Sequence, residues 1–414
     1  MKPDKHIIIL LYWSLKDPLC EGLMLDYLKR MKLSGFTYHL ITFEQEKYKL
    51  NAAETIATSY SLRSDGIVWH PLKYRSGRFF VIKKLFSMLQ TIWLIRRIKR
   101  RNNVKLLAAM ASIAGAFGFF ASRILNIRYC QLTFEPHAEI VMGSGGLSPD
   151  SLKYKISHRL EMHVGLNSEI VVCTSRHMVE RLKSSGAKGK IIRLPTCVNE
   201  TRCKFDESAR DSIRKELGIQ NKRVLIYPGK FGGMYGKENT IAFIAAFLAD
   251  NSLNHALIIT DFNRDILMGW VRKFSIDESQ VTLLGPVDLE DIPRYISAAD
   301  VGLIAYANFE ARRYCSPVKT AEYLLCGLPY IVQQGTSEDD EYAINYKVGV
   351  VADSIDASGY RAIKNSLDEL LSGDVISLRN RCREAGLIYR SSSIAIDTLR
   401  SIFTDEPNER SVDK

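Results

Sequence analysis

Two doubly wound α/β domains, each built on a parallel sheet, are the fold that the sequence predicts. Three observations lead there. Two successive series of apolar runs of strand length alternate with helical stretches, the pattern of parallel βαβ units. A charged, helical connection at 199–221 separates them, and the 414 residues give room for two domains of about two hundred residues each.

The first series opens with HIIILLYW at 6–13, then a helix near 21–32, YHLITF at 38–43 and DGIVWH at 65–70. A helical stripe follows at Ile82, Leu85, Phe86, Leu89, Ile92 and Trp93 and runs into the basic block IRRIKRRNNVK at 95–105. KLLAAMASIAGAFGFFASRIL, 105–125, reads as a buried, closely packed helix rather than a membrane span, because Gly115 and Gly118 interrupt it and its uncharged run is short. RYCQLTF at 128–134, a helix at 153–165, EIVVCTS at 169–175, a short helix from Arg176 and KIIRLPTCV at 190–198 complete the series. A boundary near Val198 makes 1–198 the first domain. The second, 199–385, carries strands in VLIYPGKF (224–231), ALIITDF (256–262), VTLLGPV (281–287), VGLIAY (301–306), YIVQQG (330–335) and VGVVAD (348–353). Residues 378–403 read as helical, and 405–414 as a disordered tail.

A net charge of +11 points to anionic partners. Nucleic acid is set aside, since no recognition module or aromatic-interleaved basic motif occurs. The 82–101 segment fits the surface of an anionic bilayer, with its aliphatic and Trp side chains inserted and Arg96, Arg97, Lys99, Arg100 and Arg101 over the headgroups. The alternative is a core-packed helix with a solvated basic end. Eight cysteines without a CxxC pair or disulfide-like spacing suit a reducing compartment. The apolar start reads as a first strand rather than a signal peptide, and no segment reaches transmembrane length. The expectation is a cytoplasmic protein, peripheral on the inner face of the plasma membrane.

Chemistry concentrates in SPVKTAEYLLCGLPYIV, 316–332. Pro317 suits a first helical turn. The N–H groups of Ser316 and Val318, with Lys319 beside them, offer a diphosphate site at the helix start. Glu322 lies deeper on the same helix, and Gly327 ends it. Upstream, YPGKFGGMYGKEN at 227–239 follows a strand; Gly229, Gly232 and Gly233 permit close backbone approach to phosphates, and Lys230 adds charge. Gly285, Pro286 and Val287 turn out of another strand. Glu135 and His137 sit on a loop after RYCQLTF, as a structural pair or a substrate contact. Glu161 and His163 read as structural, Arg312 and Arg313 as flanking the 316 loop. The acidic run Glu338, Asp339, Asp340 and Glu341 reads as a helix start favoured by the dipole rather than a cation site. No metal site is expected.

These segments together resemble the retaining family-4 glycosyltransferases, which have the GT-B fold of two Rossmann-like domains facing a central cleft. In that family two glutamates are separated by seven residues. Glu322 matches the second, which binds the donor ribose, while Tyr314 stands where the first would contact the transferred sugar; sequences reading SPxKxxEYLxxGLP form a branch that often lacks it. Lys230 stands where the family usually has arginine in its glycine-rich loop, and the lysine of that motif has only Tyr235 and Lys237 as near candidates. Gly285 and Val287 fall where the nucleobase would lie, and EPHA, with His137, where acceptor or donor sugar is contacted.

The resemblance implies transfer of a sugar, with retention, from a UDP- or GDP-linked donor to a glycan or lipid-linked acceptor in cell-surface polysaccharide biosynthesis. Lys230, Lys319 and the helix start would stabilise the departing diphosphate. No metal, cofactor or separate base is implied. It also implies that a helix at 386–404 returns to the first domain. The alternatives are an inactive sugar-nucleotide-binding scaffold and, behind it, a nucleotide-sugar epimerase.

Overall fold

A computed structural model of the chain describes residues 5–406 and divides them into two compact units. The first comprises the described residues up to 137, then 155–194 and those from 392 onward; the second comprises 138–154 and 195–391.

In chain order the first sheet and its neighbours are β1 (Lys5–Leu11), a π-turn at Cys20–Leu25 running into α1 (Asp26–Met31), β2 (Phe36–Glu44), α2 (Ala52–Ser64), β3 (Ile67–Lys73), α3 (Phe80–Arg101), β4 (Val104–Met110), α4 (Ala111–Leu125), β5 (Tyr129–Phe134), α5 (His137–Gly143), α6 (Leu152–Asn167), β6 (Ile170–Cys173), α7 (Arg176–Ser184) and β7 (Lys190–Arg193). The seven strands are parallel in the order β3-β2-β1-β4-β5-β6-β7. Central β1 is fully buried from Ile7 to Leu11, as an uninterrupted apolar run requires.

The 105–125 segment differs from its expected reading. Its first six residues form most of β4, beside β1, with Ile9 opposite Ala108. A strand buried on both faces shows no alternation, so periodicity alone cannot separate it from the helix that follows. That helix, α4, packs closely on the sheet: a Cβ at Gly118 would lie 2.8 Å from the Ala109 Cβ, and one at Gly115 2.3 Å from the Gln131 side chain. Helix α2 was not anticipated; it is mostly exposed, and its legible mark is the Asn51/Glu54 capping box.

The second unit holds α8 (Glu207–Glu216), β8 (Arg223–Pro228), α9 (Glu238–Asp250), β9 (Asn254–Ile259), α10 (Arg264–Lys273), β10 (Val281–Leu284), α11 (Ile292–Ser297), β11 (Val301–Ile304), α12 (Val318–Leu325), β12 (Tyr330–Gln333), α13 (Asp339–Asn345), β13 (Gly349–Ala352), α14 (Ala357–Ser372) and α15 (Val375–Tyr389). Its six parallel strands run β10-β9-β8-β11-β12-β13. The core joins Leu225, Ile258 and Leu303 of the sheet to Phe243, Phe247 and Tyr360 of α9 and α14. Strand order reverses between β8 and β11, which marks their carboxyl ends as the topological switch point.

The division between units falls at Leu194/Pro195, where the sequence suggested Val198, and 138–154 goes with the second unit. There Gly143 lies against Phe309, whose Cβ would be 2.7 Å from an added methyl. The helical stretch expected over 378–403 is broken at Arg390 and Ser391; α16 (Ser392–Thr404) then belongs to the first unit, packed on α1, with Phe403 6.1 Å from the Tyr38 ring. Asp405, at the start of the expected tail, pairs with Arg128 at 2.6 Å; 407–414 lie outside the described residues. All eight cysteines are buried, and none is in a disulfide.

Candidate functional site

The switch point of the second unit collects the chemistry-bearing residues. After β8 the chain turns through Gly229, Lys230, Gly232 and Gly233. The last two have φ of +85° and +60°, which only glycine adopts without strain. After β11, residues 305–317 lead to α12. Pro317 is the residue before the helix rather than its first, with φ −60° and ψ 128°. Gly327, at φ +70°, closes the other end, where Leu328 N–H donates to Tyr323 O at 2.8 Å.

Lys319 extends from the first turn of α12 across Gly229, where a Cβ would sit 2.6 Å from both its Cε and its Nζ. Burial lowers its pKa to about 8, with Glu322 opposing the shift and Lys230 adding to it. Lys230 of the glycine-rich turn and Lys319 of α12 thus act on one another electrostatically, an arrangement suited to a polyanion. Glu322, 7 % exposed, accepts no hydrogen bond from the described residues. Burial pushes its pKa up, while Arg202 and Lys319 pull it down.

Arg202 was not singled out in the sequence. It lies between α8 and the first unit's last strand in chain order, in a segment that reads as linker, and only the fold brings it to Glu322. Burial disfavours its charge, but Cys203, Glu322 and Glu290 raise its pKa. Its buried Nε has no hydrogen-bond partner.

Ser316, whose N–H is the group expected at the phosphate, has its hydroxyl and carbonyl engaged inside the fold. Its hydroxyl accepts from Thr196 N–H at 2.9 Å and from the Arg390 guanidinium, and its carbonyl accepts from Thr196 Oγ1 at 2.9 Å. Arg390 also pairs with Asp339, whose other carboxylate oxygen accepts from Thr320 Oγ1 at 2.7 Å. Asp340 accepts from Gly335 N–H at 2.7 Å. Two members of the acidic run thus serve the internal structure of the loops around α12. Arg312 is likewise used internally, donating to Gln334 O at 2.8 Å and Asn308 Oδ1 at 2.8 Å; Arg313 is exposed. Tyr314 lies in the single 3-10 turn that precedes Ser316.

Gly285, Pro286 and Val287 follow edge strand β10, largely open to solvent. Lys230 and Lys237 are also exposed. His137 ends the first stretch of the first unit; desolvation lowers its pKa. Two residues earlier, Glu135 accepts from Thr174 Oγ1 at 3.1 Å. Glu161 is buried on α6, and His163 packs edge-on to Phe119 at 5.6 Å.

A second feature lies on α3. Its inward seam is Ser87, Thr91, Ile95 and Ile98, all buried, with Thr91 Oγ1 donating to Ser87 O at 2.8 Å. Its outward face carries Ile82 (67 % exposed), Leu85, Phe86, Leu89 and Trp93 (61 % exposed). Of the stripe read from the sequence, Ile92 alone packs toward the core. Arg96, Arg97, Arg100 and Arg101 are exposed, whereas Lys99 donates to the carbonyls of Leu125 and Asn126 that end α4. Among the described residues no helix is long and apolar enough to cross a membrane.

Comparison with known proteins agrees with this architecture. Anabaena HepE in complex with UDP superimposes with a TM-score of 0.72 at 14 % identity, covering 97 % of this chain and 100 % of that one. The fold is GT-B. Sucrose-phosphate synthase from Thermosynechococcus elongatus gives a TM-score of 0.72 at 14 % identity over 97 % and 98 % of the two chains. WaaG, a glycosyltransferase involved in lipopolysaccharide biosynthesis, gives 0.66 at 12 % identity over 95 % and 99 %. Residues 250–380 of this GT-B chain match the family described as glucosyltransferase 3-like, C-terminal domain. No curated protein sequence matches the chain.

Proposed function

We propose that the protein is a glycosyltransferase that takes a sugar from a UDP- or GDP-linked donor and passes it, with retention of anomeric configuration, to a glycan or lipid-linked acceptor in cell-surface polysaccharide biosynthesis. The observation that carries this reading is the meeting of Lys230, Lys319 and the unbonded Glu322 carboxylate at the β8/β11 switch point. A donor diphosphate supplies the anion that two mutually repelling lysines lack, and its ribose supplies hydroxyl donors for Glu322. As the anomeric bond breaks, charge grows on the diphosphate, and the fixed ammonium groups stabilise that state. In the retaining course the leaving phosphate oxygen accepts the acceptor's proton on the same face, so Glu322 binds the donor and takes no part in moving that proton. His137 is assigned to sugar contact, and Gly285 and Val287 to the base edge. The UDP and UDP-glucose named in the HepE complexes favour uridine.

The inverted polarity of α3 supports a peripheral contact with anionic membrane, which would bring the enzyme to a lipid-linked acceptor at the cytoplasmic face. Its apolar residues face outward, and Arg96, Arg97, Arg100 and Arg101 are exposed at its basic end.

Calorimetric titration with UDP, GDP and ADP, without metal and with Mg²⁺, repeated on Glu322→Ala, tests the donor site. Selective binding, weakened in the variant, is expected. No binding to any of the three by the folded protein would sink the donor reading. Tyr314 in place of the first glutamate favours one competitor, an inactive scaffold, whose signature is nucleotide binding without transfer across donors and lipid-linked acceptors.

A further inference from the structure

Tyr235, one of the two residues near the place where the resemblance expects a loop lysine, does not point idly from the glycine-rich turn. The backbone fixes it on two sides. Tyr235 N–H donates to Gly232 O at 3.1 Å and Gly232 N–H to Gly236 O at 3.2 Å; the turn is then tied to the end of β11 by Gly236 N–H to Ala305 O at 3.1 Å and Ala307 N–H to Met234 O at 3.0 Å. The Tyr235 ring lies nearly parallel to that of Tyr306, 5.5 Å between centroids at 13°. Its other neighbour is Lys319, whose Nζ is 4.6 Å from the Tyr235 centroid and 5.5 Å from that of Tyr227. Tyr227 is itself held by its hydroxyl, which donates to Lys230 O at 2.6 Å.

We infer that Tyr235 is a positioning residue for the donor diphosphate: with Tyr227 it boxes the Lys319 ammonium at the switch point and keeps it apart from Glu322. The inference rests on the donor-site reading above. Lys319 and Glu322 are three residues apart on one helix, a spacing at which opposite charges commonly pair. No ion pair forms between them among the described residues, although each shifts the other's titration. The ring faces account for this. They attract a cation by their quadrupole and exclude the water that a free lysine would hold, so the ammonium is favoured beside the rings at little further entropic loss on binding. Glu322 is left to accept from the ligand. The loop lysine that the resemblance expects would add a charge; Tyr235 instead fixes the place of the charge that α12 provides.

The test uses the full chain with isotope-labelled lysine, Lys319 being assigned by Lys319→Met. In the wild type and in Tyr235→Phe, Lys319 is expected to titrate near 8. In Tyr235→Leu the ammonium gains water and approaches Glu322, so its titration moves upward, toward that of a solvated lysine. UDP affinity measured against pH is the second arm. It should fall above the Lys319 titration in wild type, drop about tenfold at neutral pH in Tyr235→Leu, the order of one cation–π contact, and return in Tyr235→Phe. An unmoved Lys319 titration in Tyr235→Leu overturns the box, whatever that variant's stability. A shifted titration with unchanged UDP affinity overturns the positioning role. If the wild type binds no nucleotide, the donor reading fails and the role with it, while the lysine titration still reports separately on the box.

Discussion

The Arg390 guanidinium and the Asp339 carboxylate form an ion pair with neither side chain reaching solvent. Through it the break between α15 and α16 is tied to the start of α13, to Thr320 on α12 and to the Ser316 loop. Asp339 is pushed up to about 6 by burial, against the pull of Arg390 and Thr320, and remains largely ionised at neutral pH. Arg390→Met should therefore cost about 3–5 kcal/mol in urea denaturation, since it leaves a buried carboxylate without its cation. Arg390→Met combined with Asp339→Leu should cost less than the single change. Costs that add, the double variant losing the sum of the two single changes, would show that the two charges are not coupled.

Gly229→Ala separates the architecture from the site. The added methyl would lie 2.6 Å from the far end of Lys319, and a flexible lysine can yield, so stability should change by less than about 1 kcal/mol. UDP affinity should fall about tenfold, because the ammonium has left its place. Wild-type affinity in this variant would put Lys319 outside the nucleotide site.

How much of this was legible beforehand differs by level. The strand series of both sheets could be read because parallel strands buried on two faces are written as short apolar runs, and Gly327 and the Gly232 and Gly233 pair mark places where the backbone needs positive φ. The same double burial hid β4, which merged with α4 into one apolar stretch. Local pattern together with resemblance marks Lys230, Lys319 and Glu322 as candidates. It does not mark Arg202 or Arg390, because each acts on residues more than fifty positions away and neither sits in a local motif. Arg202 acts on Glu322 through its charge, and Arg390 bonds to Asp339 and Ser316. The Ser316 hydroxyl is a further case: the fold gives it to Thr196 and Arg390, partners far along the chain, whereas the local pattern speaks only of the Ser316 N–H.

Arg202 lowers the pKa of Glu322, which burial raises. If Glu322 accepts from a nucleotide ribose as proposed, binding needs the carboxylate form, so affinity should weaken as pH falls through the Glu322 titration. Arg202→Met should move that acidic limb to higher pH, and Glu322→Ala should abolish it while costing about 1.5–3 kcal/mol of affinity. A pH profile of UDP binding by calorimetry reads both. A limb that stays in place in Arg202→Met would remove Arg202 from the site.

Three histidines form a hydrogen-bonded row across β1, β2 and β3. His6 Nδ1 is 3.0 Å from His39 Nε2, and His39 Nδ1 is 3.0 Å from His70 Nε2. Burial, with Arg63 and Arg97 nearby, lowers the His70 pKa to about 4. For a base depressed in the folded state, the unfolded chain binds the proton first. Its contribution is therefore fully present above about 6.5 and is lost as pH falls toward about 4. Stability measured by urea at successive pH values should decline over that window, and His70→Gln should flatten the decline. An unchanged slope would assign the acid sensitivity elsewhere.

On the outward face of α3 the two contributions to the proposed membrane contact can be separated. Replacing Arg96, Arg97, Arg100 and Arg101 with glutamine removes headgroup attraction of about 1 kcal/mol per residue and leaves the apolar face intact. Replacing Leu85 and Trp93, which are exposed on that face, with serine removes inserted area and leaves the charge. In vesicle sedimentation at low salt the first variant should lose its preference for anionic over neutral lipid. The second should keep that preference but bind both more weakly and become fully releasable by salt. Since both sets of side chains point away from the core, neither variant should lose stability. If wild type binds neutral and anionic vesicles equally, or binds neither, the α3 face is not a membrane surface and must be covered by something else.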